Sequence, residues 1–186
     1  LVQIALWRGC TVIGVAGGSE KAEYLKNLGV HHVVDHHRIN WTDYVHQHLN
    51  GRVDVIFDNI GGSSIKKGKS VLSHGGRIVT LGAAALSGKK GKLNLIRLGL
   101  GFGFFSPIAY LSKSQSLIGV NMLKIADYRP DMLAESFKGV TMLHSKGILN
   151  PHIGAIFNGT ELDKAHAFLE GRTSIGKVVV KWDDHH

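Results

Sequence analysis

The chain has 186 residues, 44% hydrophobic and 19% charged, which excludes a disordered polypeptide and fits one globular domain or slightly more. Its net charge of +8 suits a phosphorylated cofactor, an acidic membrane or nucleic acid. The lysines gather in only two short clusters, Lys66-Lys67-Gly68-Lys69 and Lys89-Lys90-Gly91-Lys92, which read first as solvated loops and helix starts. A single cysteine, Cys10, excludes an intramolecular disulfide framework and fits a reducing, cytoplasmic setting.

In chain order, LVQIALWR (1–8) is apolar at all but two positions and predicts a helix buried on most sides, stopped by Gly9. No cap precedes it, and no cationic start or cleavage site marks a secretory signal. TVIGVAG (11–17) is a short β-branched run, as expected of a buried parallel strand. SEKAEYLKNLG (19–29) predicts a helix with Ser19 as N-cap, an apolar face of Ala22, Leu25 and Leu28, and Gly29 as the stop. HHVVD (31–35) reads as a short strand.

The alternation then repeats. A helix is predicted over 42–49, a strand over 53–58, a Gly61-Gly62 turn, a helix over 63–72 and a strand over 76–82. Strand–helix–strand units predict an α/β, doubly wound parallel sheet with right-handed crossovers. After Gly82 the rhythm breaks: 93–111 is mostly apolar, yet Arg97, its glycines and Pro107 argue for a buried helix and a packed loop rather than a membrane span. A strand over 116–122, a helix over 131–147, and a closing strand (151–159), helix (161–171) and strand (176–182) complete the chain, before a tail at 183–186.

The segment GVHHVVDHHR (29–38) holds four histidines. In a strand, His32 and His36 stand roughly 13 Å apart, too far to share a zinc ion with bonds of about 2 Å. The valines favour a strand over the helix that would bring them together. No metal site is expected.

The phrases TVIGVAGGSEKAEYLKNLGVHHVVDHH, VDVIFDNIGG, GGRIVTLGAAA and SIGKVVVKW resemble, in order and spacing, the nucleotide-binding half of zinc-free medium-chain dehydrogenase/reductases. The likeness is to their quinone oxidoreductase branch, including the vesicle amine transport protein-like members. It implies a Rossmann-like fold without its first strand and Gly-rich turn, which would precede Leu1, and a chain that is part of a larger enzyme. It implies a partial dinucleotide-binding domain over 1–147 and a segment at 148–182 that returns to a separate catalytic domain. A homodimer is expected of the parent. Nucleic-acid binding is not expected, for want of a recognised motif.

The resemblance also implies a site. Gly17, Ser19 and Lys21 match the place of the adenosine ribose, where small residues and donors leave room for a 2′-phosphate and favour NADP(H); Glu20 is the one residue that argues for NAD. His36 matches a position near that phosphate, as cofactor wall or as plain surface histidine. Asn59 and Ile60 match residues near the nicotinamide ribose, and Gly82, Ala83 and Ala84 the turn facing the carboxamide. Asn121 and Ser174 are weaker matches. Asp54 and Asp58 read as structural. No catalytic residue is nominated.

Two functions follow: hydride transfer between NADPH and a quinone, enone or related carbonyl compound, or a non-catalytic, membrane-peripheral or association module using the basic clusters at 66–69 and 89–92.

Overall fold

The computed structural model describes residues 1–82, 106–171 and 174–182. Helix α1 (Val2–Trp7) leads into strand β1 (Ile13–Ala16), α2 (Ser19–Asn27), β2 (His32–Asp35) and α3 (Trp41–His48). Next come β3 (Val53–Asp58), α4 (Ser63–Val71), β4 (Leu72–Thr80), α5 (Pro107–Leu111) and β5 (Ser116–Gly119). The chain closes with α6 (Met122–Tyr128), α7 (Pro130–Ser145), β6 (Ile153–Asn158), α8 (Leu162–Glu170) and β7 (Lys177–Lys181).

Every described strand pair is parallel. β1 pairs with β2, β4 lies between β3 and β5, and β6 pairs with β7. Parallel neighbours need a crossover connection; α2, α4 and α8 provide it for β1–β2, β3–β4 and β6–β7. The alternation expected from the sequence is therefore present as parallel sheets with helices, the Rossmann-like class. The chain divides into two units, Leu1–Asp35 with Glu135–His186, and His36–Ala134.

In the first unit, α2 packs closely on β1. A Cβ at Gly14 would lie 2.9 Å from Leu25 Cδ1 and 3.3 Å from Val30 Cγ1, so Gly14 lets the helix face read from the sequence reach the strand. Val34 of β2 is fully buried. The Gln3 side chain and the Asn150 backbone exchange two hydrogen bonds of 2.8 and 3.0 Å, tying α1 to the chain ahead of β6.

The second unit has its core under α4. Ile65, Leu72 and Ile78 form a buried cluster with Ile56 against it. Gly68 on α4 lies where a Cβ would come 3.2 Å from Ile56 Cδ1, so the helix seats close to β3 and β4. Val45 and Thr42 of α3 are also buried, and Asn40 caps that helix by accepting from Thr42 N–H. Burying an isoleucine side chain contributes about 1.5–3 kcal/mol, so Ile65 and Ile78, both almost fully buried, are main contributors to this core.

Several expectations need correction. Helix α1 has no buried residue, and Leu1 and Trp7 are mostly exposed; apolar composition did not imply burial. Strand β4 begins at Leu72 rather than at 76, directly after α4; its pairing with β3 is irregular between Val53–Leu72 and Val55–Arg77, where Gly75 takes φ 77°. Helix α6, ahead of α7, was not expected from the sequence; Asn121 starts it by accepting from Lys124 N–H. Residues 93–105 of the apolar run lie outside the described residues. The end of that run is a short helix whose Ile108 and Leu111 are 75% and 79% exposed, not a packed loop. Among the described residues, no helix is long and apolar enough to cross a membrane.

Ile78→Ala removes buried methylene groups from the α4 cluster and is expected to cost about 2–5 kcal/mol, whereas Leu111→Ala is expected to stay within about 0.5 kcal/mol. Equilibrium urea unfolding followed by circular dichroism measures both. Equal losses would mean that the core has been misassigned.

Candidate functional site

Parallel strands that leave a sheet on the same side expose their last backbone groups at one carboxyl edge, where ligands of open α/β sheets bind. Each unit has such an edge, and most of the candidate residues fall on one or the other.

In the first unit, Ala16 pairs with Asp35 at the end of the β1–β2 ladder. The chain turns out of β1 through Gly17 and Gly18, and Gly18 takes φ 92° and ψ 152°, a conformation that favours glycine. Gly18 N–H donates to Asp35 Oδ1 at 3.1 Å, so the acid closing β2 holds the turn closing β1. Gly18, not Ser19, is the N-cap of α2; Ser19 is the first helical residue and makes no capping bond. The expected cap is thus corrected: α2 starts from a glycine with positive φ and without a side-chain cap. Glu20 lies in the first turn of α2. Lys21 and Asp35 each take part in a further interaction.

His36 follows Asp35 directly, and its ring meets that of His37 edge-on, with centroids 4.5 Å apart. His31 is occupied elsewhere: Val12 N–H donates to His31 Nδ1 at 3.2 Å. Among the described residues, no group of three or more His, Cys, Asp or Glu side chains could hold a metal ion.

In the second unit, the ladder ends with Asp58 opposite Thr80 and Thr80 opposite Gly119. Leu81 N–H donates to Asp58 O at 2.7 Å and Val120 N–H to Thr80 O at 2.9 Å. Asn59, Gly82 and Asn121 therefore leave the sheet side by side. A Cβ at Gly82 would lie 3.6 Å from Asn59 O. Asp58 is buried, and its Oδ1 accepts from Ile60 N–H at 2.8 Å and Gly61 N–H at 2.6 Å. This local turn leaves Ile60 half exposed at the edge, while Gly61 and Gly62 take φ 76° and 61° to carry the chain into α4. Asp58 is structural in this sense, as expected; Asp54 is exposed on β3.

Ala83 and Ala84 lie outside the described residues. Asn121 is at the edge, but its side-chain oxygen caps α6, 3.2 Å from Lys124 N. Ser174 precedes β7 and so lies on the amino side of the β6–β7 pair. Two carboxylates are held below their ordinary range, Asp131 by its hydrogen bond to Arg129 and Glu161 by its hydrogen bond to Lys164; both brace helix starts.

The residue that the sequence reading passed over at these edges is Asp35. A signal was present: an acid ending one short strand, 17 residues beyond a Gly-Gly turn ending the previous one. Only the parallel register shows that the two ends meet.

A family model described as zinc-binding dehydrogenase matches residues 1–138. The human synaptic vesicle membrane protein VAT-1 homolog is 27% identical over 91% of this chain and 43% of its own length. Human quinone oxidoreductase is 24% identical over 96% of this chain and 49% of its own. The chain thus spans about half the length of these curated relatives. Among solved structures, the human VAT-1 homolog-like protein superposes with a TM-score of 0.74 at 17% identity, over 100% of this chain and 49% of that one. CurA from Vibrio vulnificus, solved in complex with NADPH, gives 0.70 at 24%, over 98% and 52%. At such identities the structures establish a shared fold, and that fold is the one expected from the quoted phrases.

Asp58→Ala leaves two amides at the β3 turn without their acceptor, an expected loss of about 1–3 kcal/mol in urea unfolding. Asp58→Asn keeps an acceptor oxygen and is expected to cost clearly less. If the two variants unfold at the same midpoint, the amide bonds contribute nothing.

Proposed function

The chain belongs to the zinc-binding dehydrogenase family, and on that premise we propose that it is the NADP(H)-binding part of an oxidoreductase moving hydride between NADPH and a quinone, enone or related carbonyl compound. The observation that carries this reading is the Gly17–Ser19 turn at the carboxyl end of β1. Both residues before the helix are glycine, a Cβ at Gly18 would meet nothing within 4 Å, and the turn opens directly onto the amino end of a nine-residue helix. Such an end favours an anion through its unpaired N–H groups and the helix dipole.

In this reading the Ser19 hydroxyl and the Lys21 ammonium donate to the 2′-phosphate of the adenosine ribose, against the unfavourable charge of Glu20. His36 walls the same end. At the edge of the second unit, Asn59 and Ile60 meet the nicotinamide ribose, and Gly82 lets the backbone approach the carboxamide. Asn121 and Ser174 complete the proposed contact set; Asn121 would have to serve while its oxygen caps α6. The nicotinamide itself carries the hydride. The chain's own residues bind and orient it, and no catalytic acid or base is assigned among them. The described side chains do not fit a zinc ion, and no step here passes through one. Support comes from relatives named quinone oxidoreductase, 2-haloacrylate reductase and CurA with NADPH. A homodimeric parent in the cytoplasm belongs to the same proposal, as does the division into a dinucleotide-binding part at 1–147 and a returning segment at 148–182.

Titration calorimetry of the chain with NADPH and NADH tests it. The chain is expected to bind weakly, yet NADPH at least about fivefold more tightly than NADH, and Lys21→Ala to erase most of that difference, as befits one exposed charge–phosphate contact. Comparable affinity for the two cofactors in the unmodified chain refutes the NADP preference.

A second reading, a non-catalytic module at an anionic membrane surface, is supported by the exposed lysines Lys66 and Lys67 and the exposed aliphatic pair Ile108 and Leu111, a combination suited to headgroups and the acyl boundary. Relatives named as synaptic vesicle membrane proteins agree with it. It expects sedimentation with phosphatidylserine vesicles, lost on Lys66→Glu with Lys67→Glu or in high salt. Without sedimentation at low salt, this reading is abandoned.

A further inference from the structure

An acid in the turn after β1 would bind both ribose hydroxyls and select NAD; this chain has Gly17 and Gly18 there instead. The structure nevertheless brings a carboxylate to that turn, from the neighbouring strand. Asp35 ends β2 opposite Ala16 of β1, and its Oδ1 takes the Gly18 N–H at 3.1 Å in a part-buried setting. Asp35 also takes part in a further interaction, and a carboxylate offers about four acceptor positions across its two oxygens. The amide it holds, that of Gly18, is one residue from Ser19 and three from Lys21 along the chain, the two donors proposed for a 2′-phosphate.

We propose that Asp35 is a positioning and specificity-determining residue for the adenosine end of the nucleotide, a role that rests on the dinucleotide reading above. Two effects of opposite sign meet in one side chain. Its acceptor oxygen holds the amide of Gly18, keeping the turn at φ 92° and fixing where α2 begins, so Ser19 and Lys21 start from a defined place. Its negative charge opposes a phosphate at the 2′ position and accepts from a hydroxyl there. Lys21 and Asp35 therefore pull the 2′ selectivity in opposite directions, and the chain discriminates less strongly than Ser19 and Lys21 alone would.

The two effects separate by substitution. Asp35→Asn keeps an acceptor oxygen for Gly18 and removes the charge; Asp35→Ala removes both. The probes are adenosine 2′,5′-bisphosphate and adenosine 5′-monophosphate, titrated calorimetrically into the full chain and both variants. In Asp35→Asn the bisphosphate is expected to bind about tenfold more tightly, with the monophosphate unchanged within about twofold, the scale of one partly screened charge pair. In Asp35→Ala both nucleotides are expected to weaken together as the turn loosens. An unchanged ratio of the two affinities in Asp35→Asn overturns the selectivity role while leaving the dinucleotide reading intact. Failure of both nucleotides to bind the unmodified chain at millimolar concentration overturns the reading and the selectivity role together. The clamp has its own readout in the free chain: the Gly18 amide resonance is expected to follow the Asp35 carboxylate titration and to lose that pH dependence in Asp35→Asn. A Gly18 resonance indifferent to both pH and substitution overturns the clamp.

Discussion

Parallel strand pairing is the constraint on which the described structure depends. A parallel pair cannot be closed by a tight hairpin; it needs a crossover, and in β1–β2, β3–β4 and β6–β7 that crossover is a helix. Strands of one sheet then end together, and the backbone beyond the last ladder bond loses its partners on one shared edge. Buried amides there must find acceptors or be left at a cost comparable to a lost hydrogen bond. Asp35 and Asp58, each the last residue of its strand, meet that demand.

They do so in different ways. Asp58 acts locally, folding back on the amides of Ile60 and Gly61 within its own turn, and is buried. Asp35 acts across the ladder, on the amide of Gly18 from the adjacent strand, and stays partly exposed. The first makes a turn that only needs to be rigid. The second places a charge at the start of α2, where the anionic ligand is proposed to bind. Stability and specificity thus draw on the same chemistry, and solvent access separates them.

The strands and helices were largely legible because their signals are local. VDVIFD is a strand with the expected bounds, and SEKAEYLKN is a helix whose Leu25 meets β1 at Gly14. Burial was less legible. LVQIALW is as apolar as any segment, yet α1 has no buried residue, since burial depends on what packs against a helix and not on its own residues. The same holds for Ile108 and Leu111. The cap of α2 was misplaced by one residue because glycine at φ 92° leaves no side-chain signature to set against a serine next to it. Of the two acids, Asp58 showed its role through a bond to residues two and three places on, whereas Asp35 acts on a residue 17 positions back.

By itself the sequence determined the alternation of elements, the absence of a disulfide framework within the chain, and, through the order of its short phrases, the family. Hydrophobic period, β-branching and glycine stops act within a few residues and can be read one segment at a time. Tertiary structure decided which strand ends meet, which apolar faces are covered, and which carboxylate stands at the Gly17–Ser19 turn. Those outcomes depend on register between strands distant in sequence. A shift of one residue between β1 and β2 would leave every local signal unchanged and move Asp35 to the other face of its sheet.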